Sequence, residues 1–139
     1  KDLEYKNIHN YVVKNNLQKN VKFNGYISTK QLAVLYSSAR ALVMPTFFGP
    51  TNIPPIEAFN YSCPVLISDI FASREQCKNS ALYFNPNEIN QIANKIKDIW
   101  LNDNLFLKMR KKSQLISKNY NFVNFSKKLN KIISDKFVS

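Results

Sequence analysis

Ala41-Leu42-Val43-Met44-Pro45-Thr46, then Ile53-Pro54-Pro55-Ile56-Glu57-Ala58, then Cys63-Pro64-Val65-Leu66-Ile67 is the stretch whose reading decides the fold. The first and last of these pieces hold continuous apolar runs, the pattern of strands buried on both faces. Pro45 stops the first run and Asp69 follows the second. Between them a polar, proline-rich turn leads into a short helix at about 55–61, with proline in its first turn. Strand, helix, strand in that order predicts a parallel sheet.

The same alternation extends outward. Upstream, Leu3, Ile8, Tyr11, Val12 and Leu17 lie near helical spacing and predict a helix over 2–17. Val21-Lys22-Phe23 reads as a short strand closed by Asn24-Gly25, and Ser28 as the cap of a second helix striped by Leu32, Val34, Leu35 and Tyr36. Downstream, a short helix around 73–77 precedes a fourth strand, Ala81-Leu82-Tyr83-Phe84. After Asn85-Pro86-Asn87 the pattern is helical throughout. Ile89, Ile92, Ala93, Ile96, Ile99 and Trp100 mark one helix, Leu105, Leu107, Met109, Leu115 and Ile116 a second, and Phe125, Leu129, Ile132 and Ile133 a third. The class is α/β, a single domain with a strand and helix core over about 1–101 and carboxyl-terminal helices over about 102–139.

Composition narrows the function. The chain has 139 residues, 45% apolar and 21% charged, enough for one core. Two glycines exclude a Gly-rich phosphate loop, and a single histidine, His9, excludes a His-cluster metal site. Cys63 and Cys77 form no CxxC pair and are expected as reduced thiols. The long weakly charged run over 41–73 carries Pro45, Pro50, Pro54, Pro55 and Pro64 and the charges Glu57 and Asp69, so it is no membrane span. The opening Lys-Asp-Leu-Glu-Tyr-Lys is neither a signal peptide nor an initiator, and a cytoplasmic piece of a longer chain is expected.

The net charge of +11 is unevenly placed. Residues 108–136 hold Lys108, Arg110, Lys111, Lys112, Lys118, Lys127, Lys128, Lys131 and Lys136 against Asp135 alone. Such a face suits nucleic acid, anionic lipid headgroups or a phosphorylated small molecule, and equally a plain solvated helix surface. An α/β nucleic-acid-binding module, stacking bases on Tyr120, Phe122 and Phe125, is the alternative reading of function. Against it, those aromatics keep helical spacing with Leu129 and Ile132, as core residues do.

In open parallel sheets ligands bind in the loops after the carboxyl ends of the strands. The loop over 45–55 is the longest of these, and it feeds a helix N-terminus, whose free N–H groups favour phosphate. Glu57, one turn inside that helix, is the only acid between Glu4 and Asp69. A carboxylate in an apolar helix needs donors, from neighbouring backbone or a lysine, or from a ligand such as the hydroxyls of a ribose.

Taken in order, Val21-Lys22-Phe23-Asn24-Gly25, Leu32-Ala33-Val34-Leu35-Tyr36-Ser37-Ser38-Ala39, the three pieces quoted first, and Ala81-Leu82-Tyr83-Phe84-Asn85-Pro86 resemble the carboxyl-terminal domain of GT-B glycosyltransferases, retaining family 4 above all. The likeness runs from about residue 3 to 125. It implies a Rossmann-like parallel sheet with flanking helices that binds a nucleotide-sugar and passes the sugar to a glycan or lipid-linked acceptor in cell-envelope polysaccharide synthesis. Metal and cofactor are not required, because helix dipoles and basic side chains can meet the leaving diphosphate.

The resemblance also assigns residues. The second Glu of the family's E-x7-E motif, which holds the ribose, falls on Glu57, and the first, which contacts the sugar, falls on Gly49. Gly49-Pro50-Thr51-Asn52 thus departs from the family's usual Glu-Gly-Phe-Gly, and Thr51, Asn52, Ile53 and Pro54 are expected to face sugar and phosphate. Gly25, Tyr26 and Ile27 correspond to the loop that cradles the base. A complete member has in addition an amino-terminal acceptor domain and two more strands, earlier in sequence, that lie in the sheet between the segments 21–23 and 41–44. Alone, the 139 residues are therefore expected to be inactive, with a sheet edge that pairs differently or with a second copy.

Overall fold

The structure is a computed structural model that describes residues 2–49 and 52–137, with the side chains of residues 2, 136 and 137 excepted. Seven helices and three strands alternate in it: α1 (Asp2–Lys14), α2 (Thr29–Ser38), β1 (Leu42–Met44), α3 (Ile53–Asn60), β2 (Val65–Ser68), α4 (Ser73–Cys77), β3 (Ala81–Phe84), α5 (Ile89–Leu101), α6 (Asp103–Ser117) and α7 (Phe122–Phe137). The sheet is wholly parallel in the order β1-β2-β3, with Val43 opposite Leu66 and Leu66 opposite Leu82.

Strand alternation divides the core into two layers. Val65 and Ile67 point with Ala81 into a cluster closed by Tyr36 of α2, Ala58 and Phe59 of α3, Cys77 of α4 and Ile116 of α6. Leu66 and Phe84 point the other way, onto Ile99 of α5 and Met109 of α6. All four residues of central β2 are buried, whereas edge strand β1 is half-buried. At roughly 1.5–3 kcal/mol for each large apolar side chain, Phe59, Leu66, Ile67, Phe84 and Ile99 dominate the stabilisation. Cys63 and Cys77 are free thiols buried in the first layer. Burial pushes Cys77 up to about 11 and Cys63 upward as well.

The helix starts follow local chemistry. Ser28 accepts from the Gln31 N–H while the Gln31 side chain accepts from the Ser28 N–H, a complete capping box for α2. Asn102 caps α6 through Leu105. Arg40, just before β1, donates to the Ile99 carbonyl and to Asp103 and lies 4.1 Å over the Phe106 ring, tying the strand to both helices behind it.

Two expectations are corrected. Val21-Lys22-Phe23 is not a strand: it has no neighbour to pair with among the described residues, and Phe23 instead packs edge-on to Tyr5 at 5.3 Å and beside His9. The aromatics of α7 are not core. Phe122 is 80% and Phe125 61% exposed, and Leu129, Ile132 and Ile133 stand out with them, so the helical period is real but nothing described covers the face. Leu3, Ile8 and Tyr11 of α1 are exposed likewise, with Val12 alone buried.

Candidate functional site

The carboxyl ends of β1 and β2 and the N-terminus of α3 meet at one end of the sheet. The β1 loop arrives through Thr46, whose hydroxyl oxygen is buried without a partner among the described residues. Gly49 has φ +154°. Pro50 and Thr51 lie outside the described residues, so the expectation for Thr51 has no structural counterpart. The chain resumes at Asn52, the N-cap of α3.

Asn52 makes no capping bond, and the reason is in the sequence. An N-cap side chain accepts from the second or third helical N–H. Those positions are Pro54 and Pro55, which have none. The Asn52 carboxamide turns backward instead and donates to the Gly49 carbonyl at 3.3 Å. The same prolines leave Ile53 as the one residue with an N–H among the first three positions of α3.

Pro55, Ala58 and Phe59 turn inward, while Ile53, 66% exposed, and Glu57 share the outer face at i and i+4. Glu57 is half-buried, and its Oε2 accepts from the Tyr36 hydroxyl at 3.4 Å. Tyr36 is 8% exposed and stacked on Tyr61 at 6.1 Å. Burial first, then the neighbouring Glu57 charge and their hydrogen bond, push this phenol up to about 12, so it stays a donor. No second hydrogen bond reaches Glu57 among the described residues, and the Tyr36 contact is long. The carboxylate therefore keeps acceptor capacity for hydroxyls brought by a ligand.

Gly25, at φ +60°, has open space where a Cβ would be, Tyr26 is fully exposed and Ile27 is half-buried. This loop leads into α2, which carries Tyr36. Tyr36 lies eight positions beyond Ser28, roughly 12 Å along the axis.

Gln76 and Arg74, which sequence reasoning did not single out, complete the surroundings. Gln76 of α4 donates through Nε2 to the Asn52 carbonyl at 2.7 Å. Its own backbone carbonyl accepts from the Tyr120 hydroxyl. A groove of about 930 Å³ runs past them between α3, α4 and α7, with Asn52, Ile53, Gln76, Tyr120 and Lys128 among its lining. After β2, Arg74 grips both oxygens of Asp69 and lies 4.4 Å over Tyr83, so the only acid of that loop is neutralised. Ala72, which precedes α4, is held left-handed at φ 65°. No group of three His, Cys, Asp or Glu side chains among the described residues could hold a metal, and no described helix is long and apolar enough to cross a membrane.

Comparison with known proteins gives the geometry a setting. A family model described as "Glycosyl transferases group 1" matches residues 2–121. The O-antigen chain mannosyltransferase RfbU of Salmonella typhimurium is 41% identical over 88 residues, covering 63% of this chain and 25% of that protein. The O-antigen chain mannosyltransferase B of Escherichia coli is 29% identical over 73 residues, 52% of this chain and 19% of that protein. Among solved structures, sucrose-phosphate synthase from Thermosynechococcus elongatus superposes with a TM-score of 0.84 at 25% identity, over 97% of this chain and 35% of its own. The chain spans a quarter or less of the curated relatives that it matches.

Proposed function

From the premise that the chain belongs to the group 1 glycosyl transferases, we propose that it is the donor-binding domain of an enzyme moving a sugar from a nucleotide-sugar to a glycan or lipid-linked acceptor. We place it in cell-envelope polysaccharide synthesis, in keeping with the names of its relatives, and assign it transfer with retention from the family resemblance of its motifs. The observation that carries the reading is Glu57, a half-buried carboxylate at the mouth of the sheet with one long hydrogen bond to Tyr36.

In this reading Glu57 accepts from the ribose hydroxyls and Tyr36 holds its rotamer. Gly25, Tyr26 and Ile27 flank the base. Gly49, Thr51, Asn52, Ile53 and Pro54 face the sugar and the adjoining phosphate. The Ile53 N–H group and the α3 dipole meet charge developing on the departing diphosphate, so no metal or other cofactor is required. The 139 residues act as one nucleotide-sugar-binding domain, inactive until joined to an amino-terminal acceptor domain of the same enzyme. The free edge of β1 is where further strands of that enzyme, or of a second copy, would pair. The basic α6 and α7 suit a position at the cytoplasmic face of an anionic membrane.

The test is calorimetric titration of the full-length protein with UDP and GDP. Binding of one of them, competed by the matching nucleotide-sugar, supports the reading, and indifference to both sinks it. Retention on single-stranded DNA that is lost with residues 104–139 would favour the nucleic-acid module instead.

A further inference from the structure

The side chain that fills the place of the missing acid at position 49 is itself tethered. A Cβ built on Gly49 would lie 2.4 Å from Asn52 Oδ1 and 2.9 Å from its Cγ. The Asn52 carboxamide thus occupies the space in which a side chain at 49 would begin, and glycine is what leaves it room. Asn52 folds back because Pro54 and Pro55 offer it nothing to cap.

This fold-back depends on where the Asn52 backbone sits, and that is fixed from α4. Gln76 Nε2 holds the Asn52 carbonyl at 2.7 Å across 24 residues of sequence. The platform under Gln76 is firm. Ser73 and Cys77 of the same short helix are 2% and 0% exposed, and Tyr120 clamps the Gln76 carbonyl from the α6–α7 junction.

Resting on the donor-site reading above, we propose that Gln76 is a positioning residue for sugar recognition: it holds the Asn52 carboxamide where it presents a neutral amide to the donor sugar in place of a carboxylate at 49. Asn52 Oδ1 has no partner among the described residues and is the acceptor offered to a sugar hydroxyl. Gln76 touches no substrate and acts only through Asn52.

The experiment compares the affinity of the full-length protein for GDP and for GDP-mannose, and for UDP and UDP-glucose, by calorimetry. The ratio within each pair isolates what the sugar contributes. Gln76→Met keeps the length and removes the donor. It should lower the sugar-dependent gain about fivefold to tenfold, the loss of one hydrogen bond, with bare-nucleotide affinity within about twofold and a melting temperature lowered by no more than about 5 °C. Asn52→Ala should lose the same factor, and the double variant no more than either alone, because both remove one interaction.

Additive losses, an unchanged sugar gain in Gln76→Met, or an equal fall in bare-nucleotide affinity would each overturn the proposal. Should Gln76→Met fold poorly, Gln76→Lys keeps a donor and should restore most of the gain; its failure to do so counts equally against the tether. Wild-type protein that binds neither nucleotide sinks the donor-site reading and this proposal with it. Wild-type binding with an indifferent Gln76→Met sinks this proposal alone.

Discussion

Placing a side chain at position 49 is the perturbation with the most calculable outcome. Gly49 sits at φ +154°, which L residues rarely adopt, and its missing Cβ would overlap the Asn52 carboxamide. The overlapping atoms are the far end of a rotatable side chain, so Gly49→Ala should be accommodated by Asn52 swinging away. The cost is then the Asn52–Gly49 hydrogen bond, about 1 kcal/mol, plus backbone strain of about 1 kcal/mol. A loss of about 2 kcal/mol should lower the melting transition of this domain by roughly 6–10 °C.

Gly49→Glu introduces the acid that the family resemblance leads one to expect at this position but meets the same overlap, so it should lose donor use rather than gain it. Adding Asn52→Gly to Gly49→Glu removes the obstruction and should recover part of the activity. The assay is thermal denaturation of the full-length protein alongside nucleotide-sugar turnover for the single and paired variants. Gly49→Ala melting within about 1 °C of wild type, or Gly49→Glu improving turnover by itself, would refute the reasoning.

Alkaline titration should destabilise the chain as pH rises from about 9 to 12. Tyr36 is pushed up to about 12 and Cys77 to about 11, and Tyr83 and Tyr120 are raised, all chiefly by burial. The unfolded chain gives up these protons first, so the stability they confer is complete below the ordinary values of 9.0 and 10.0 and is lost through the raised ones. The tyrosinate absorbance of Tyr36, Tyr83 and Tyr120, isolated by comparison with their Phe variants, should therefore appear together with loss of circular dichroism, and ionisation of these three phenols near pH 10 in a folded chain would contradict this. Ala72→Gly should stabilise the domain by about 0.5–1 kcal/mol, since the left-handed backbone at φ 65° penalises a Cβ while the more flexible unfolded chain offsets part of the gain. A lower melting temperature would show that the Ala72 methyl packs usefully.

What the sequence discloses tracks how local each determinant is. Ser73–Cys77 and Ala81–Phe84 appear where their composition places them, and the Ser28 cap depends on a partner three residues away. Val21-Lys22-Phe23 has strand-like composition, but a strand exists only where a neighbour pairs with it, and here Phe23 finds Tyr5 and His9 instead. The α7 aromatics teach the same lesson: periodicity defines a face and is silent on what covers it.

At the site, Glu57 was conspicuous as an acid in an apolar helix. Its partner Tyr36 lies 21 residues upstream and read only as one more apolar stripe position. Pro54-Pro55 signalled a helix start, yet their second effect, denying Asn52 a cap, emerges only once the carboxamide is seen folded back. Gln76 carried no sequence signal, because its contact spans 24 residues and uses a backbone carbonyl.

The central claim is that Glu57 serves a nucleotide rather than the fold, and Glu57→Gln in the full-length protein tests it most directly. Affinity for the preferred nucleotide should fall by about 1.5–3 kcal/mol, the scale of a hydrogen bond to a charged group, while the melting temperature stays near wild type. Unchanged nucleotide affinity with a large drop in melting temperature would mean that the Tyr36–Glu57 pair is structural, and would contradict the account.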